Sequence, residues 1–232
     1  MTGEAAVQAK LEQVYAWLVR EYGTPVNERR RGPLDELVGA ILSQHTSGIN
    51  SRRAFESLRA TYPSWSDVAE ASEEEIADAI RCGGLANQKA PRIKKILTDV
   101  MGESGEEDLG WLANTDIDAA RDYLASLPGV GPKTAACVLL FSLGRRAFPV
   151  DTHVQRLARR LALVPDSWSP IRTQQYLESV VPKARMYPFH INLIRHGRKV
   201  CRARRPSCGR CGLRSVCTHY ATEIAPAEGM SA

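Results

Sequence analysis

Lys133 is the residue with the clearest potential for chemistry, because of the stretch that precedes it. Residues 127–132 read Leu-Pro-Gly-Val-Gly-Pro, and two glycines with two prolines between helical patterns require a tight turn. Pro132 suits the first position of a new helix, so Lys133 is predicted to lie in the first helical turn. There the positive end of the helix dipole, together with burial, favours the neutral amine, which is a nucleophile. An ordinary surface lysine is the alternative interpretation.

The same turn predicts an anion-binding site. The backbone amides of Gly129, Val130 and Gly131 are expected to face outward, since the glycines carry no side chains that would cover them. Amides at the start of a helix commonly hold phosphate groups. By itself, this hairpin indicates contact with a nucleic-acid backbone.

Asp151 is the second candidate for a role in chemistry. One apolar helix pattern and a turn separate it from Lys133, an arrangement that allows both side chains to face one cleft. Asp151 also precedes a periodic apolar run that begins at Val154, so capping of a helix is the alternative interpretation. The two roles are compatible, because the dipole of the capped helix keeps the carboxylate ionised.

Four of the six cysteines fall within one segment, in the pattern Cys-x6-Cys-x2-Cys-x5-Cys, at Cys201, Cys208, Cys211 and Cys217. No secretory signal is recognisable, so a disulfide framework is not expected and the cluster indicates metal or redox chemistry. Four thiolates suit tetrahedral zinc or a [4Fe-4S] cluster, and the wide first and last spacings favour the cluster. Cys82 and Cys137 lie in apolar patterns and are predicted to be core residues.

Charge is distributed unevenly along the chain. Ten of the 31 Lys and Arg residues lie between Ser179 and Thr222, whereas all 26 Asp and Glu residues lie outside that segment. A solvated surface usually mixes both signs, so a segment with only positive charge favours binding to a polyanion, with nucleic acid as the leading candidate. The arginines of the cysteine segment would then contact phosphates.

Apolar residues recur with helical period almost throughout, and no run alternates with the period of a strand, so the predicted fold class is all-α. Local signals also place helix boundaries. The predicted caps are Asn50-Ser51, Ser64, the Ser72–Glu75 capping box, and Thr115 or Asp116. The predicted helical stretches include 88–101 with Pro91 in its first turn, 133–143, 154–163, 171–181 and 189–200; residues 102–114 are predicted to form a polar loop and 221–232 a frayed tail.

Taken in order, the hairpin with Lys133, the sequence Val-Asp-Thr-His at 150–153, the sequence His-Gly-Arg at 196–198 and the 6-2-5 cysteine spacing resemble the endonuclease III family. These enzymes are helix-hairpin-helix DNA glycosylases, and the likeness runs from about Leu34 to Tyr220. It implies a six-helix barrel domain at 26–145, with the helix-hairpin-helix at 116–143. It also implies a cluster domain formed from 1–25 and 146–232.

The resemblance further implies roles for individual residues. Lys133 would be the nucleophile, Asp151 its carboxylate partner, and the four cysteines would hold a [4Fe-4S] cluster. Leu85 resembles the wedge that enters the duplex, His45 occupies the place of a glutamine that faces the orphaned base, and His153 would approach the damaged strand. The implied DNA contacts are His45, Leu85, Gly129, Val130, Gly131, His153, Arg198, Arg202 and Arg205. Pro132, His45 and Ala86 depart from the family pattern, which bears on lesion range and opposite-base preference.

The function implied is that of a bifunctional DNA glycosylase and abasic-site lyase that excises oxidised pyrimidines from double-stranded DNA. Two alternatives remain at this stage, a monofunctional mismatch glycosylase and a non-catalytic metal-bearing DNA-binding module. Neither gives Lys133 a role. A cytoplasmic monomer that associates with the nucleoid when bound to DNA, and that does not enter membranes, is expected.

Overall fold

The computed structural model describes residues 3–28, 31–104 and 108–225. Within these ranges the secondary structure is helical and no β-strand occurs, which confirms the predicted all-α fold class. None of the described helices combines the length and the apolar character needed to cross a bilayer. The chain divides into two units by its internal contacts: 29–145, called the inner unit, and 1–28 together with 146–232, called the terminal unit.

The inner unit consists of helices that pack along their apolar faces. Its helices, numbered in chain order, are α2 (Pro33–Leu42), α3 (Gly48–Thr61), α4 (Trp65–Glu70), α5 (Glu73–Ala79), α6 (Ala86–Ser104), α7 (Ile117–Ser126) and α8 (Pro132–Cys137). Six of the ten residues of α2 are buried, and α2 packs on α3, α6 and α8. A π-helical turn, Val138–Ser142, continues α8. Every residue from Thr134 to Leu140 is buried, as the apolar pattern predicts.

The terminal unit joins the two ends of the chain. Its helices are α1 (Gly3–Tyr22), α9 (Thr152–Arg160), α10 (Pro170–Val180) and α11 (Lys183–Lys199). Helix α11 packs on both α1 and α9, so the first helix of the chain is held by one of the last. The cysteine segment, 201–217, follows α11 and contains two short 3₁₀ turns, Cys208–Arg210 and Arg214–Val216.

Local capping signals are confirmed at three helix starts. Ser64 and Ser72 each form a reciprocal capping box, with Asp67 and Glu75 respectively, and Asp116 caps α7 by accepting bonds from two backbone amides. The cap predicted at Asn50-Ser51 is wrong. Ser47 caps α3 instead, since its hydroxyl accepts the amide of Asn50.

Helix boundaries near prolines also differ from the prediction. Helix α6 begins at Ala86 and α11 at Lys183, so Pro91 and Pro188 lie inside helices rather than near their starts. The carbonyl of Leu85 accepts the amides of Gln88 and Lys89, which starts α6 earlier than predicted. The polar loop predicted at 102–114 is shorter, because α6 continues to Ser104 and a 3₁₀ turn covers Gly110–Ala113. Residues 226–232 of the predicted tail lie outside the described residues.

Candidate active site and cysteine segment

The hairpin between α7 and α8 is a tight turn at Leu127–Gly131. The amide of Val130 donates to the carbonyl of Leu127 at 3.1 Å, and Gly129 has a φ of +78°, a value that favours glycine. This corrects the prediction at Val130, whose side chain is buried and whose amide is already bonded within the turn. The amides of Gly129 and Gly131 make no hydrogen bond of this kind among the described residues. These two N–H groups of the turn can therefore donate hydrogen bonds to a bound anion.

Lys133 is the second residue of α8, after Pro132 at the first position, as predicted. Its side chain is partly buried. A carboxylate on the neighbouring helix α2, that of Glu36, lies within electrostatic range of Lys133. Burial raises the pKa of Glu36 to about 7, against the lowering effect of the positive charges of Arg31 and Lys133. Sequence reasoning missed Glu36, which looks like an ordinary helical position until α2 is known to pack on α8.

Asp151 lies in the terminal unit and caps α9. One carboxylate oxygen accepts the amides of His153 and Val154 at 2.9 and 2.8 Å, which confirms the predicted capping role. The second carboxylate oxygen makes no hydrogen bond to another described residue. A capping aspartate held in this way keeps a fixed orientation, and its free oxygen can accept a proton or face a positive charge.

His153, in the first turn of α9, is partly buried. Its Nδ1 lies 3.0 Å from Nη2 of Arg156, and a side-chain atom at Gly197 would collide with its ring. Burial lowers the pKa of His153, with a smaller opposing effect from Asp151. The imidazole therefore favours its neutral form and is held from one side by Arg156.

His45 and Leu85 are exposed on two separate loops of the inner unit. Leu85 is 45% exposed, which agrees with its predicted loop setting and excludes a core role. Both residues have left-handed backbones, with φ of 53° and 52°. Side chains other than glycine rarely adopt this conformation, and it is often found at functional sites when the surroundings enforce it.

The four clustered cysteines line one cavity, partly open to solvent, together with Arg160, His196 and Leu213. Burial is the largest cause that raises the pKa of Cys211 to about 11, and the other three cysteines contribute to it, so all three lie within electrostatic range of Cys211. Only a cationic group in the cavity would favour four thiolates there. In the part of the chain that the structure describes, no three or more His, Cys, Asp or Glu groups have the arrangement of a single-ion site.

Side chains of α9 and α11 make several polar contacts with this segment. Arg160 donates to Sγ of Cys201 at 3.3 Å and to the carbonyl of Arg202 at 2.8 Å, and Arg156 donates to the carbonyl of Cys201 at 3.0 Å. Nε2 of His196 lies 3.5 Å from Sγ of Cys211. From the sequence, His196 was identified only as part of the His-Gly-Arg motif. Arg156 and Arg160 were not identified, because they belong to α9 and lie about 40 residues before the cysteine segment.

The predicted DNA-contacting arginines, Arg198, Arg202 and Arg205, are all exposed in the terminal unit. Arg202 also donates to the hydroxyl of Ser207 at 3.3 Å, within the cysteine segment. Of the two cysteines predicted to be in the core, Cys137 is buried as expected, whereas Cys82 is exposed. The prediction for Cys82 is wrong because the residue lies in the 3₁₀ turn Arg81–Gly83 rather than on the apolar face of α5.

A helical fold in which a glycine hairpin joins two helices, the second bearing a lysine in its first turn, is the arrangement of a helix-hairpin-helix protein. Residues 38–183 match the model of the HhH-GPD superfamily base excision DNA repair proteins, and the chain belongs to this superfamily. Its predicted likeness to the endonuclease III family is confirmed by an archaeal relative. Endonuclease III of Sulfolobus acidocaldarius is 31% identical over 222 residues, which cover 91% of this chain and 97% of the relative.

A protein of Arabidopsis thaliana, named as a DNA glycosylase, is 43% identical over 168 residues, or 72% of this chain. The chain spans 57% of the length of that relative and about a tenth of several longer plant relatives. Among solved structures, a trapped covalent intermediate of endonuclease III with DNA superimposes with a TM-score of 0.77 at 27% identity. The superposition covers 91% of this chain and 96% of that one.

Proposed function

We propose that this protein is a bifunctional DNA glycosylase and abasic-site lyase that acts on oxidised pyrimidines in double-stranded DNA. The observation that carries the proposal is the position of Lys133, which is partly buried at the second residue of α8, directly after a hairpin with two available amides. Membership of the base excision repair superfamily and the likeness to a covalent endonuclease III–DNA complex support it.

DNA binding in this proposal depends on charge and on fixed backbone amides. The amides of Gly129 and Gly131 bind a backbone phosphate at the start of α8, where the helix dipole favours an anion. Arg198, Arg202 and Arg205 add contacts to phosphates. Leu85 enters the base stack, His45 faces the orphaned base, and His153 approaches the damaged strand. The damaged base is turned out of the duplex at a cost of about a few kcal/mol, which damage reduces.

The chemistry begins when Lys133 has lost a proton from its ammonium group. The lone pair of Nζ attacks C1′ of the deoxyribose, and the bond between C1′ and the base breaks. The departing base takes the bonding electrons and a proton. Opening of the sugar ring then gives a Schiff base between Lys133 and C1′. Loss of a proton from C2′ next expels the 3′ phosphate with its bonding electrons, so the strand is cut 3′ to the lesion.

Asp151 is the second group in the proposed reaction. Its carboxylate stabilises the positive charge that develops on the sugar, or accepts the proton that Lys133 must lose. The two hydrogen bonds that Asp151 accepts at the start of α9 fix the orientation of its carboxylate, which both roles require. A carboxylate that performs this task is usually worth about two to four orders of magnitude in rate.

We further propose that Cys201, Cys208, Cys211 and Cys217 hold a [4Fe-4S] cluster. The four thiols line one cavity, where ionised thiolates would need a cationic centre, and the wide first and last spacings of the cysteines favour a cluster over a single zinc ion. When bound, the cluster would cross-link the cysteine segment. The segment's own residues would then present Arg202 and Arg205 to the DNA backbone. A monomeric, cytoplasmic protein remains our prediction.

Borohydride trapping tests the proposed reaction. The wild-type protein is incubated with one duplex that carries thymine glycol, an oxidised pyrimidine, and with another that carries an abasic site. Borohydride is then added to reduce any Schiff base. We expect a covalent adduct with both duplexes, its loss in Lys133→Ala, and its retention in the matched variant Lys95→Ala, which removes an exposed lysine of α6.

The outcomes separate the candidate functions. Release of the base without an adduct would favour a monofunctional glycosylase. Binding to DNA without release of the base or cleavage would favour a non-catalytic module. An undiminished adduct in Lys133→Ala would contradict the assignment of the nucleophile.

A further inference from the structure

Lys89, near the start of α6, is a buried lysine to which neither the proposed chemistry nor the DNA contacts give a role. It is 2% exposed, and its Nζ donates to the carbonyl of Leu42 at 2.8 Å and to the carbonyl of Gly83 at 3.3 Å. Burial lowers its pKa, as expected for a cation removed from water. Such a residue is retained only when its surroundings satisfy it, so the two carbonyls that it binds are informative.

Both carbonyls belong to the ends of helical segments that lead into loops. Leu42 is the last residue of α2, and Gly83 ends the 3₁₀ turn Arg81–Gly83. Carbonyls at helix ends lack partners within the helix and carry a partial negative charge, so an ammonium group suits both. Lys89 therefore links Leu42 and Gly83, the residues at which the two loops begin.

These loops carry the residues predicted to read the duplex. His45 lies three residues after Leu42, and Leu85 lies two residues after Gly83, both with left-handed backbones. Because this conformation is strained for side chains other than glycine, each loop needs an anchor that fixes its start. Lys89 provides one anchor for both loops.

The hairpin is linked to the same loops by a second side chain. Nε2 of Gln44, the neighbour of His45, donates to the carbonyl of Gly129 at 3.0 Å. A Cβ placed on Gly129 would lie 3.1 Å from Cδ of Arg92, so the hairpin also lies close to α6, one turn after Lys89. Three separate segments, 43–47, 84–85 and 127–131, are thereby connected within the inner unit.

We propose that Lys89 and Gln44 are positioning residues that fix these three segments as one preformed surface for damaged duplex DNA. The identity of the ligand rests on the proposed function, whereas the bracing is a property of the protein alone. A preformed surface loses less conformational entropy on binding, because its loops are already ordered. This matters most at a lesion, where Leu85 must be held in place to displace a base. Loss of either brace should therefore weaken recognition of a lesion more than general binding to phosphates.

Lys94 provides a matched control on the same helix. Its Nζ donates to the carbonyl of Ala71 at 2.5 Å, at the end of α4, which is not one of the three segments. Lys89→Met and Lys94→Met each remove an ammonium group that donates to carbonyls at the ends of helical segments. Only Lys89→Met removes a contact to the proposed surface. Gln44→Leu tests the second brace independently.

The binding experiment uses a duplex with a tetrahydrofuran abasic analogue, which cannot form a Schiff base, and the same duplex without damage. Fluorescence anisotropy gives the preference for damage, defined as the dissociation constant for the undamaged duplex divided by that for the abasic duplex. We expect Lys89→Met and Gln44→Leu to reduce this ratio about tenfold, while affinity for the undamaged duplex changes less than about twofold. Lys94→Met should keep the wild-type ratio. A wild-type ratio in Gln44→Leu and in folded Lys89→Met would overturn the proposal.

Hydrogen exchange without DNA tests the bracing directly. Amides of 43–47 and 84–89 should exchange faster in Lys89→Met than in Lys94→Met, and those of 127–131 faster in Gln44→Leu than in the wild type. Unchanged exchange in both would overturn the bracing, and if Lys89→Met fails to fold, Gln44→Leu decides by both measurements. A wild-type protein with no preference for the abasic duplex would instead overturn the proposed function.

Discussion

The inner unit and the cysteine segment of the terminal unit are stabilised in different ways. In the inner unit, α2 alone buries six residues, and the segment that follows the hairpin is buried almost without interruption. In the cysteine segment, 201–217, Leu213 is the one buried residue, and arginines of α9 hold the backbone through its carbonyls. Apolar packing can stabilise the first region by itself. The second lacks a core and depends on cross-links, among which a metal cluster would be the strongest.

The largest expected effect concerns the dependence of the cysteine segment on cross-links. If the proposed [4Fe-4S] cluster is bound, Cys208→Ala should abolish its broad visible absorption and destabilise the terminal unit by about 4 kcal/mol or more, since loss of a metal is among the most damaging changes. The matched variant Cys82→Ala, at an exposed cysteine outside the segment, should keep both properties. Absorption spectra and thermal unfolding measure this. A colourless wild-type protein that contains zinc would contradict the assignment of the cluster.

Asp151 can separate stability from chemistry within the terminal unit. Asparagine caps helices about as well as aspartate, so Asp151→Asn should leave the free energy of unfolding nearly unchanged. It should nevertheless reduce the single-turnover rate of base release by about 10²–10⁴-fold, because the charge is lost. Asp151→Ala should in addition lose about 1 kcal/mol of stability. Urea unfolding and rapid-quench kinetics test the pair, and a fully active Asp151→Asn would remove the carboxylate from the mechanism.

The burial of Glu36 in the inner unit can be tested through the pH dependence of the free energy of unfolding. Because burial raises its folded-state pKa from 4.5 to about 7, the folded protein binds a proton more readily than the unfolded chain does. Stability from this group is present below pH 4.5 and is lost as the pH rises to about 7, by up to about 3 kcal/mol. Glu36→Gln should flatten this part of the profile in urea unfolding measured from pH 4.5 to 8. A wild-type profile in the variant would show that Glu36 is not buried as described.

The smallest expected effect tests how the cysteine segment is seated within its own unit. A Cβ at Gly212 would lie 2.2 Å from Nε1 of Trp17 on α1, whereas a Cβ at Gly209 would have no atom within 4 Å. Gly212→Ala should therefore cost about 1–3 kcal/mol of stability, and Gly209→Ala should be close to neutral. Equal unfolding midpoints for the two variants would mean that the segment is not held against α1.

Local features could be predicted from the sequence because their causes are local. The caps at Ser64, Ser72 and Asp116 depend on side chains within three residues, and the first-turn position of Lys133 follows from Pro132. The same logic fails where packing decides. Pro188 lies inside α11 although proline usually marks a helix start, since the surrounding residues of that helix are buried.

The residues that the sequence could not assign depend on distant partners. The ammonium group of Lys89 donates to the carbonyls of Leu42 and Gly83, and the residues next to Lys89 in the sequence do not predict these contacts. Glu36 becomes informative only once α2 packs on α8, and the amide of Val130 is lost as an anion ligand because the turn uses it. Spacing motifs therefore identified candidate chemistry, whereas the groups that position it required the three-dimensional structure.

Peptide mapping of the borohydride-reduced adduct tests the central claim most directly. The wild-type protein is trapped on abasic duplex DNA, digested with a protease and a nuclease, and analysed by mass spectrometry for the lysine that carries the reduced sugar. The account predicts that the modification lies on Lys133, in the peptide that begins the helix after the hairpin. A modification on any other lysine, or on the N-terminal amine, would contradict it.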